Sequence, residues 1–248
     1  MIGIVAGVGP YAGLDLLDKI LSQTVAAQDQ DHLTVVSISQ PAQIPDRTAF
    51  LLGHETLNPA FPILEQLLKL EQAGAQVAAI PCNTAHAPII FDKIQNGLVQ
   101  AGSQLNLLHM IVEVGRELQR SYPMVKKVGV LSTTGTAVTR IYPLCLERLG
   151  FELLALDTQI QAELIHPAIY DPVYGIKANG RATERARSAL MFGVRRMQEA
   201  GAQAVVLGCT ELPLAIHESR IDDLIMIDPA LILARALISA VDADKLKQ

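Results

Sequence analysis

The chain has no tryptophan, and aromatic residues make up only 4% of it. Charged residues are also few, at 18%, and the 20 basic residues are scattered under a formal net charge of −5. Proteins that bind nucleic acids usually present a basic patch and aromatic rings for stacking. We therefore expect no nucleic-acid partner, whereas a small acidic ligand stays possible because two or three local cations can bind it.

Long apolar runs are missing too, and no segment approaches the length that spans a bilayer. The first residues, Met1 to Gly7, lack the basic flank of a secretory signal and are typical of a strand. Only three cysteines are present, with no framework spacing and no Cys-x-x-Cys or His-x-x-x-His pair. These absences predict a cytoplasmic protein with no membrane partner and no metal site.

Short apolar runs alternate with helical patterns along the chain. Helical spacing is seen in the series Leu57, Phe61, Leu64, Leu68 and again in Ala186, Leu190, Val194, Met197. The predicted strands are Ile2–Ala6, Leu33–Ile38, Val77–Ile80, Val128–Leu131, Ala204–Leu207 and Ile225–Ile227. This alternation predicts an α/β fold in which mostly parallel sheets are flanked by helices.

The chain also resembles itself. The ten residues Ala73 to Cys82 align with Ala200 to Cys209, with five identical positions and an offset of 127 residues (209 − 82). Gly3 to Gly9 align with Gly129 to Gly135 at an offset of 126 (129 − 3). Junctions between a helix, a glycine and a strand recur in any α/β protein, but two blocks with matching offsets and a shared cysteine favour a duplicated unit.

A duplicated unit predicts two similar lobes related by a pseudo-twofold axis, with the active site in the cleft between them. We expect residues 1–103 plus 217–248 to form the first lobe and residues 104–216 the second. Cys82 and Cys209 each follow a predicted strand, at the carboxyl end where α/β sheets bind ligands. Cys145 has helical spacing with Ile141 and Leu149 and is interpreted as a packing residue.

Both cysteines are followed by polar residues where a helix can begin. The sequences are Pro-Cys-Asn-Thr-Ala-His from Pro81 and Gly-Cys-Thr-Glu-Leu from Gly208. A helix N-terminus favours the thiolate, and its free N–H groups can bind a carboxylate. Two facing thiols suit proton exchange at a stereocentre, whereas hydrolysis needs one nucleophile and a reducing compartment disfavours a disulfide.

Five motifs in order resemble the aspartate racemase branch of the aspartate/glutamate racemase superfamily. They are Gly-Val-Gly-Pro (Gly7 to Pro10), Ile-Pro-Asp-Arg-Thr (Ile44 to Thr48), the Pro81 to His86 motif, Gly-Ile-Lys (Gly175 to Lys177) and the Gly208 to Leu212 motif. Relatives often have methionine where this chain has Val8. The resemblance implies an isomerase that racemises aspartate without pyridoxal phosphate or any other cofactor, and that commonly forms a homodimer.

The resemblance also implies roles for individual residues. Cys82 and Cys209 match the two acid/base cysteines, and Arg47 and Lys177 match the cations that bind the carboxylates of an acidic amino acid. The other expected substrate-binding residues are Gly9, Asn83, Thr84, Thr133, Thr134, Thr136, Thr210 and Glu211. His86 is interpreted either as a residue that orients the Cys82 loop or as a packing histidine.

Four alternatives stay open at this point. A nucleotide-binding protein would use the glycines after the first strand, but the second predicted strand ends Ser37-Ile38-Ser39-Gln40 without the acidic residue that holds a ribose. A non-catalytic amino-acid-binding protein would need no paired thiols. A pyridoxal phosphate enzyme would use Lys177 as its Schiff-base lysine. Within the superfamily, a broad-specificity amino-acid racemase or a hydantoin racemase is the remaining alternative.

Overall fold

The computed structural model describes all 248 residues, and the chain forms two compact units. Met1–Glu113 with Ala230–Gln248 makes the first unit, and Val114–Pro229 makes the second. These boundaries fall later than the expected ones after residues 103 and 216. Strand Asn106–Leu107 pairs with Val77–Ala79, and strand Leu224–Ile227 pairs with Ala204–Gly208, so each boundary strand belongs to the sheet of the preceding segment.

The first unit contains a four-stranded parallel sheet. Its strands are β1 (Ile2–Val5), β2 (Val35–Ile38), β3 (Val77–Ala79) and β4 (Asn106–Leu107). They are arranged in the order β2-β1-β3-β4, and every neighbouring pair is parallel. All residues of β1 and β3 are buried, as expected for central strands covered on both faces.

The second unit contains a five-stranded sheet. Its strands are β5 (Lys127–Ser132), β6 (Glu152–Leu154), β7 (Ala204–Gly208), β8 (Arg220–Ile221) and β9 (Leu224–Ile227). Their order is β6-β5-β7-β9-β8, and only the edge strand β8 is antiparallel to its neighbour. All six predicted strands are present in the two sheets, whereas the short strands β4, β6 and β8 were not predicted.

The two sheets share topology and register, which agrees with a duplicated unit. Without its edge strand, the second sheet has the order of the first, with β5, β6, β7 and β9 in the places of β1, β2, β3 and β4. Gly3 pairs with Ala78 in the first sheet, and Gly129 pairs with Val205 in the second. These partners have the same offsets, 126 (129 − 3) and 127 (205 − 78), that the sequence alignment gave.

Twelve α-helices surround the sheets. They are α1 (Pro10–Gln23), α2 (Arg47–Leu51), α3 (Ala60–Gln72), α4 (Pro88–Gln100), α5 (Met110–Ser121), α6 (Thr134–Val138), α7 (Ile141–Leu146), α8 (Thr158–Ile160), α9 (His166–Tyr170), α10 (Ile176–Asn179), α11 (Glu184–Glu199) and α12 (Pro229–Val241). None of them has the combination of length and apolar character that crossing a membrane requires. The prediction of an α/β fold with helix-flanked parallel sheets is confirmed.

Helices cover both faces of the first sheet. On one face, α3 and α4 contribute Leu67 and Ile94 to a buried cluster with Ile80. On the other face, α1 and α12 contribute Leu16 and Leu237, together with further apolar residues of β1. In the second unit, α11 packs its predicted apolar face on β5 and β7. The helices thereby fix the carboxyl ends of the strands in both sheets. The candidate site residues lie in the loops and short helices that follow these strands.

Candidate functional site

Cys82 lies in a tightly bonded loop after β3. The strand ends at Ala79, and Cys82 precedes a 3-10 turn formed by Asn83–His86. The Cys82 N–H donates to the Ile80 carbonyl at 2.8 Å, and its own carbonyl accepts from the Ala85 N–H at 3.2 Å. The cysteine is 8% exposed, so its backbone is fixed while a small part of the residue stays accessible.

His86 holds the same loop from behind. Its Nδ1 lies 2.9 Å from the Cys82 carbonyl oxygen, and the Met110 N–H at the start of α5 donates to Nε2 at 3.2 Å. The ring stacks on Phe91 and contacts His109, with centroids 5.0 and 4.7 Å away. Burial and the neighbouring His109 lower the pKa of His86 to about 3, so the ring is neutral at physiological pH. His86 therefore contacts both the backbone of the Cys82 loop and the beginning of α5.

Arg47 begins α2, and Asp46 caps that helix by accepting from the Ala49 N–H at 2.8 Å. The Arg47 side chain is largely buried and donates to the carbonyls of Val8 and Pro45. The first of these carbonyls belongs to the Gly7-Val8-Gly9 loop after β1. Arg47 is thus brought to the loops at the carboxyl end of the first sheet, where the sequence predicted it.

Gly7, in the loop after β1, packs closely against another segment of the backbone. A Cβ at Gly7 would lie 2.6 Å from the backbone nitrogen of Gln40, in the segment after β2. Close packing of the backbone after β1 against the segment after β2 therefore requires a glycine at position 7. Gly9 is different, because it precedes α1 with an extended backbone and stays a predicted ligand-binding residue.

In the second unit, Cys209 directly follows β7. Its buried Sγ donates to Oε2 of Glu211 at 2.9 Å, and Thr210 Oγ1 is 3.5 Å from the same oxygen. The other carboxylate oxygen of Glu211 accepts from Nζ of Lys177, the second residue of the short helix α10. Sequence analysis grouped Glu211 and Lys177 as two substrate-binding residues, and the structure joins them as an ion pair beside the cysteine.

The threonines of the second unit form the beginning of α6. Thr133 caps this helix, accepting from the Thr136 N–H at 3.3 Å, while its hydroxyl donates to Oγ1 of Thr136 at 3.2 Å. Both are buried, and Thr134 between them is half-buried. Gly7 and Thr133 are equivalent in the two sequence blocks, so this loop repeats the position of the Gly7 loop in the first unit.

Sequence analysis missed three residues of the second unit that interact with the predicted site residues or with the strand beside them. Tyr142 on α7 is fully buried, and its pKa is raised by burial and then by Cys209 and Cys145. The ring of Tyr170 lies 5.5 Å from Nζ of Lys177. Gln161, in the π-helical turn Gln161–Ile165, donates to the Ser132 carbonyl at 2.8 Å. A tyrosine inside an apolar helix pattern was the available signal for Tyr142, whereas no local pattern marks the other two.

Comparison with known proteins identifies the family. A model of the Asp/Glu/hydantoin racemase family matches residues 5–237. The chain belongs to this family. It is 32% identical over 168 residues to a broad-specificity amino-acid racemase of Bacillus subtilis, covering 65% of this chain and 67% of the relative.

Solved racemase structures resemble the whole chain. An aspartate racemase from Picrophilus torridus is 30% identical with a TM-score of 0.80, covering 99% of this chain and 95% of that one. An aspartate racemase homologue from Pyrococcus horikoshii is 24% identical with a TM-score of 0.73, covering 96% and 97%, and shows the fold alone. The predicted superfamily is confirmed, and with it an isomerase of the amino-acid racemase kind.

Burial and charged neighbours both affect the protonation of Cys209 in this racemase. Burial and the adjacent Glu211 carboxylate raise the pKa of Cys209 well above its usual value, so this residue is a thiol in the free protein. Burial alone would lower the pKa of Lys177, but Glu211 and Cys209 outweigh it and raise that pKa. Cys209 is thus protonated and hydrogen-bonded to Glu211, whose charge Lys177 balances.

Proposed function

We propose that this chain is a cofactor-independent aspartate racemase in which Cys82 and Cys209 are the two acid/base residues. The supporting observation is their equivalence: each cysteine lies three residues beyond a matched register position, Ala79 in β3 and Val206 in β7. A duplicated fold that repeats one thiol at one loop position suits a reaction with two mirror-related proton transfers. Cys145 has no such equivalent and lies on α7, half-buried.

In the proposed reaction, the Cys82 thiolate removes the Cα proton and the Cys209 thiol protonates the opposite face of the planar intermediate. The raised pKa of Cys209 supports its assignment as the proton donor in this direction. In the reverse direction Cys209 must act as the base after losing its proton. The ordinary thiol pKa of about 8.5 is far below that of an amino-acid Cα–H, so donors such as Asn83, Thr84 and Thr210 must stabilise the carbanion.

An acidic substrate is supported by Arg47 and Lys177, one cation in each unit. A guanidinium binds a carboxylate in a bidentate manner, and a lysine ammonium can bind the second carboxylate. The similarity to the Picrophilus torridus aspartate racemase, at 30% identity over almost the whole chain, favours aspartate. A homodimer, implied by the family resemblance, is part of this proposal and is tested by light scattering of the purified protein.

A broader substrate range is the second candidate, and the Lys177–Glu211 ion pair favours it. Because Glu211 already balances the charge of Lys177, a second substrate carboxylate has to compete with an internal one. An amino acid without a side-chain carboxylate meets no such competition. The Bacillus subtilis relative, named for broad specificity, points the same way.

The deciding experiment follows the Cα proton by NMR in D₂O, with purified protein and no added pyridoxal phosphate. Each enantiomer of aspartate, glutamate, alanine and lysine is tested separately. Exchange of aspartate with formation of its enantiomer supports the aspartate proposal, and comparable rates across the panel support broad specificity. Binding of aspartate without any exchange would instead indicate a non-catalytic amino-acid-binding protein.

A further inference from the structure

His86 makes two hydrogen bonds that together determine where its proton is. The Met110 N–H donates to Nε2 at 3.2 Å, so Nε2 must carry a lone pair. The proton of the neutral ring is then on Nδ1, which donates it to the Cys82 carbonyl oxygen at 2.9 Å. The tautomer with its proton on Nδ1 satisfies both contacts of the fully buried ring, and the backbone of Leu108 and of Asn83 also interacts with it.

The carbonyl that receives this proton belongs to the same residue as the candidate acid/base thiol. It accepts from both His86 Nδ1 and the Ala85 N–H, and the Cys82 N–H donates to Ile80. Three hydrogen bonds therefore fix the backbone that carries Sγ. Because χ1 is the only torsion between this backbone and the sulfur, rotation of the peptide group displaces the thiol directly.

The surroundings of His86 keep it neutral and immobile. Phe91 stacks on one side with an interplanar angle of 23°, and His109 contacts the ring at 60°. His109 is itself anchored, since its Nδ1 accepts from the Val112 N–H at 3.3 Å. A charged imidazolium would lose the acceptor for Met110, so neutrality is a condition of the arrangement.

We propose that His86 is a positioning residue, which holds the Cys82 thiol in its reactive place by linking the Cys82 carbonyl to the first residue of α5. The inference rests on the proposed function, because it assigns a role within that reaction. His86 does not touch the reacting atoms and acts only through the peptide of Cys82.

Three variants separate the two hydrogen bonds. His86→Asn retains a donor near the place of Nδ1, and His86→Gln retains an acceptor near the place of Nε2. His86→Phe retains a ring between Phe91 and His109 and has neither bond. Misplacement of a catalytic group by about 1 Å can cost about 100-fold in rate. We expect kcat to fall tenfold to 100-fold in His86→Phe. The decrease in His86→Asn should be about tenfold smaller, and KM should change little in either variant.

A second readout does not depend on racemase activity. In a Cys145→Ala/Cys209→Ala background, Cys82 is the only thiol, and its rate of alkylation by iodoacetamide reports its exposure. We expect His86→Phe to accelerate this alkylation about tenfold and His86→Asn to leave it within about threefold. In the matched Cys82→Ala/Cys145→Ala background, the rate of Cys209 alkylation should be the same whichever residue stands at position 86.

Three results would overturn the inference: unchanged kcat and Cys82 alkylation in His86→Phe, equal losses in His86→Asn and His86→Phe, or equal acceleration at both cysteines. The last result would indicate general loosening of the fold. If the unmodified protein racemises no amino acid, the proposed function fails, but the alkylation comparison still decides whether His86 holds the Cys82 loop.

Discussion

The thiol of Cys209 donates a hydrogen bond to Oε2 of Glu211 over 2.9 Å, and the other oxygen of that carboxylate accepts from Lys177. The Glu211 carboxylate thus lies between the Cys209 thiol and the Lys177 ammonium group. The pair has opposite effects on the thiol, since Glu211 raises the pKa of Cys209 and Lys177 lowers it. Burial raises the pKa of Cys209 most, and Glu211 is the neighbouring charge that raises it further.

Replacing Glu211 by glutamine should lower the pKa of Cys209. The change removes a negative charge beside the thiol while retaining the size of the side chain, so the thiolate is less destabilised and the pKa of Cys209 falls. The measurement is the pH dependence of Cys209 alkylation in the Cys82→Ala/Cys145→Ala background. Glu218→Gln, which alters a half-exposed carboxylate paired with Arg187, is the matched control. An unchanged profile in Glu211→Gln would contradict this assignment.

Removing either acid/base thiol should abolish racemisation of aspartate, if the two-base proposal is right. Cys82→Ala and Cys209→Ala each leave one face of the substrate without a proton carrier, and we expect kcat to fall at least about 1000-fold. Chiral chromatography of the products measures the loss. Cys145→Ala is the control, because it removes the third thiol and should retain activity. Normal turnover in Cys82→Ala or Cys209→Ala would rule out the scheme.

Arg47→Ala should weaken the binding of dicarboxylic substrates more than that of neutral ones. The variant loses a cation and also the donors to the carbonyls of Val8 and Pro45, so the KM for aspartate should rise about tenfold or more. Steady-state kinetics with aspartate and alanine give the comparison. Arg235→Ala is the control, since Arg235 donates to Gln23 and Lys247 in the same unit. Equal KM changes for both substrates would remove Arg47 from carboxylate recognition.

Apolar runs located six strands but missed three short strands at the edges of the sheets, β4, β6 and β8. Strands β1, β3 and β7 are continuous runs of buried residues and β5 is mostly buried, so all four are recognisable in sequence. Strand β4 has only two residues, of which Asn106 is exposed, so neither length nor apolar pattern marks it. The unit boundaries differ from the expected ones because β4 pairs with β3 and β9 pairs with β7, and such pairing is not visible in local composition.

Helix α3 shows another limit of predicting structure from the spacing of apolar residues. The predicted apolar series included Phe61, which is 58% exposed, with Nζ of Lys93 lying 4.9 Å from its ring. The buried face instead carries Ile63, Leu67 and Leu70. Two apolar stripes run along this helix, and only the position of the sheet decides which one is inside. The spacing predicted the helix, and Leu64 and Leu68 of the series pack against the core from partly buried positions, whereas Phe61 is exposed.

Site residues were predictable by type, whereas their partners were not. Cysteines at equivalent positions and cations in recognisable motifs can be found in sequence. The ion pair of Lys177 with Glu211 joins residues 34 positions apart through a loop and a short helix, and the bond from Met110 to His86 spans 24 positions. Such pairs depend on how loops pack, and no local propensity encodes them.

The buried His86 should make the protein less stable in mild acid. Burial, followed by the neighbouring His109, lowers its pKa from the ordinary histidine value of 6.5 to about 3. The unfolded chain therefore takes up a proton that the folded chain excludes, and the free energy of unfolding decreases as pH falls from 6.5 towards 3. At about pH 5 this one group should cost about 2 kcal/mol relative to pH 7.

Urea unfolding of the unmodified protein and of His86→Asn, each at about pH 7 and about pH 5, isolates this contribution. His86→Asn should start from lower stability at pH 7 and lose about 2 kcal/mol less on acidification, because asparagine does not titrate. Carboxyl groups titrate in both proteins and cancel in the difference. His217→Asn replaces an exposed histidine and should lose as much as the unmodified protein. If His86→Asn and His217→Asn lose stability equally, His86 is not held neutral by burial.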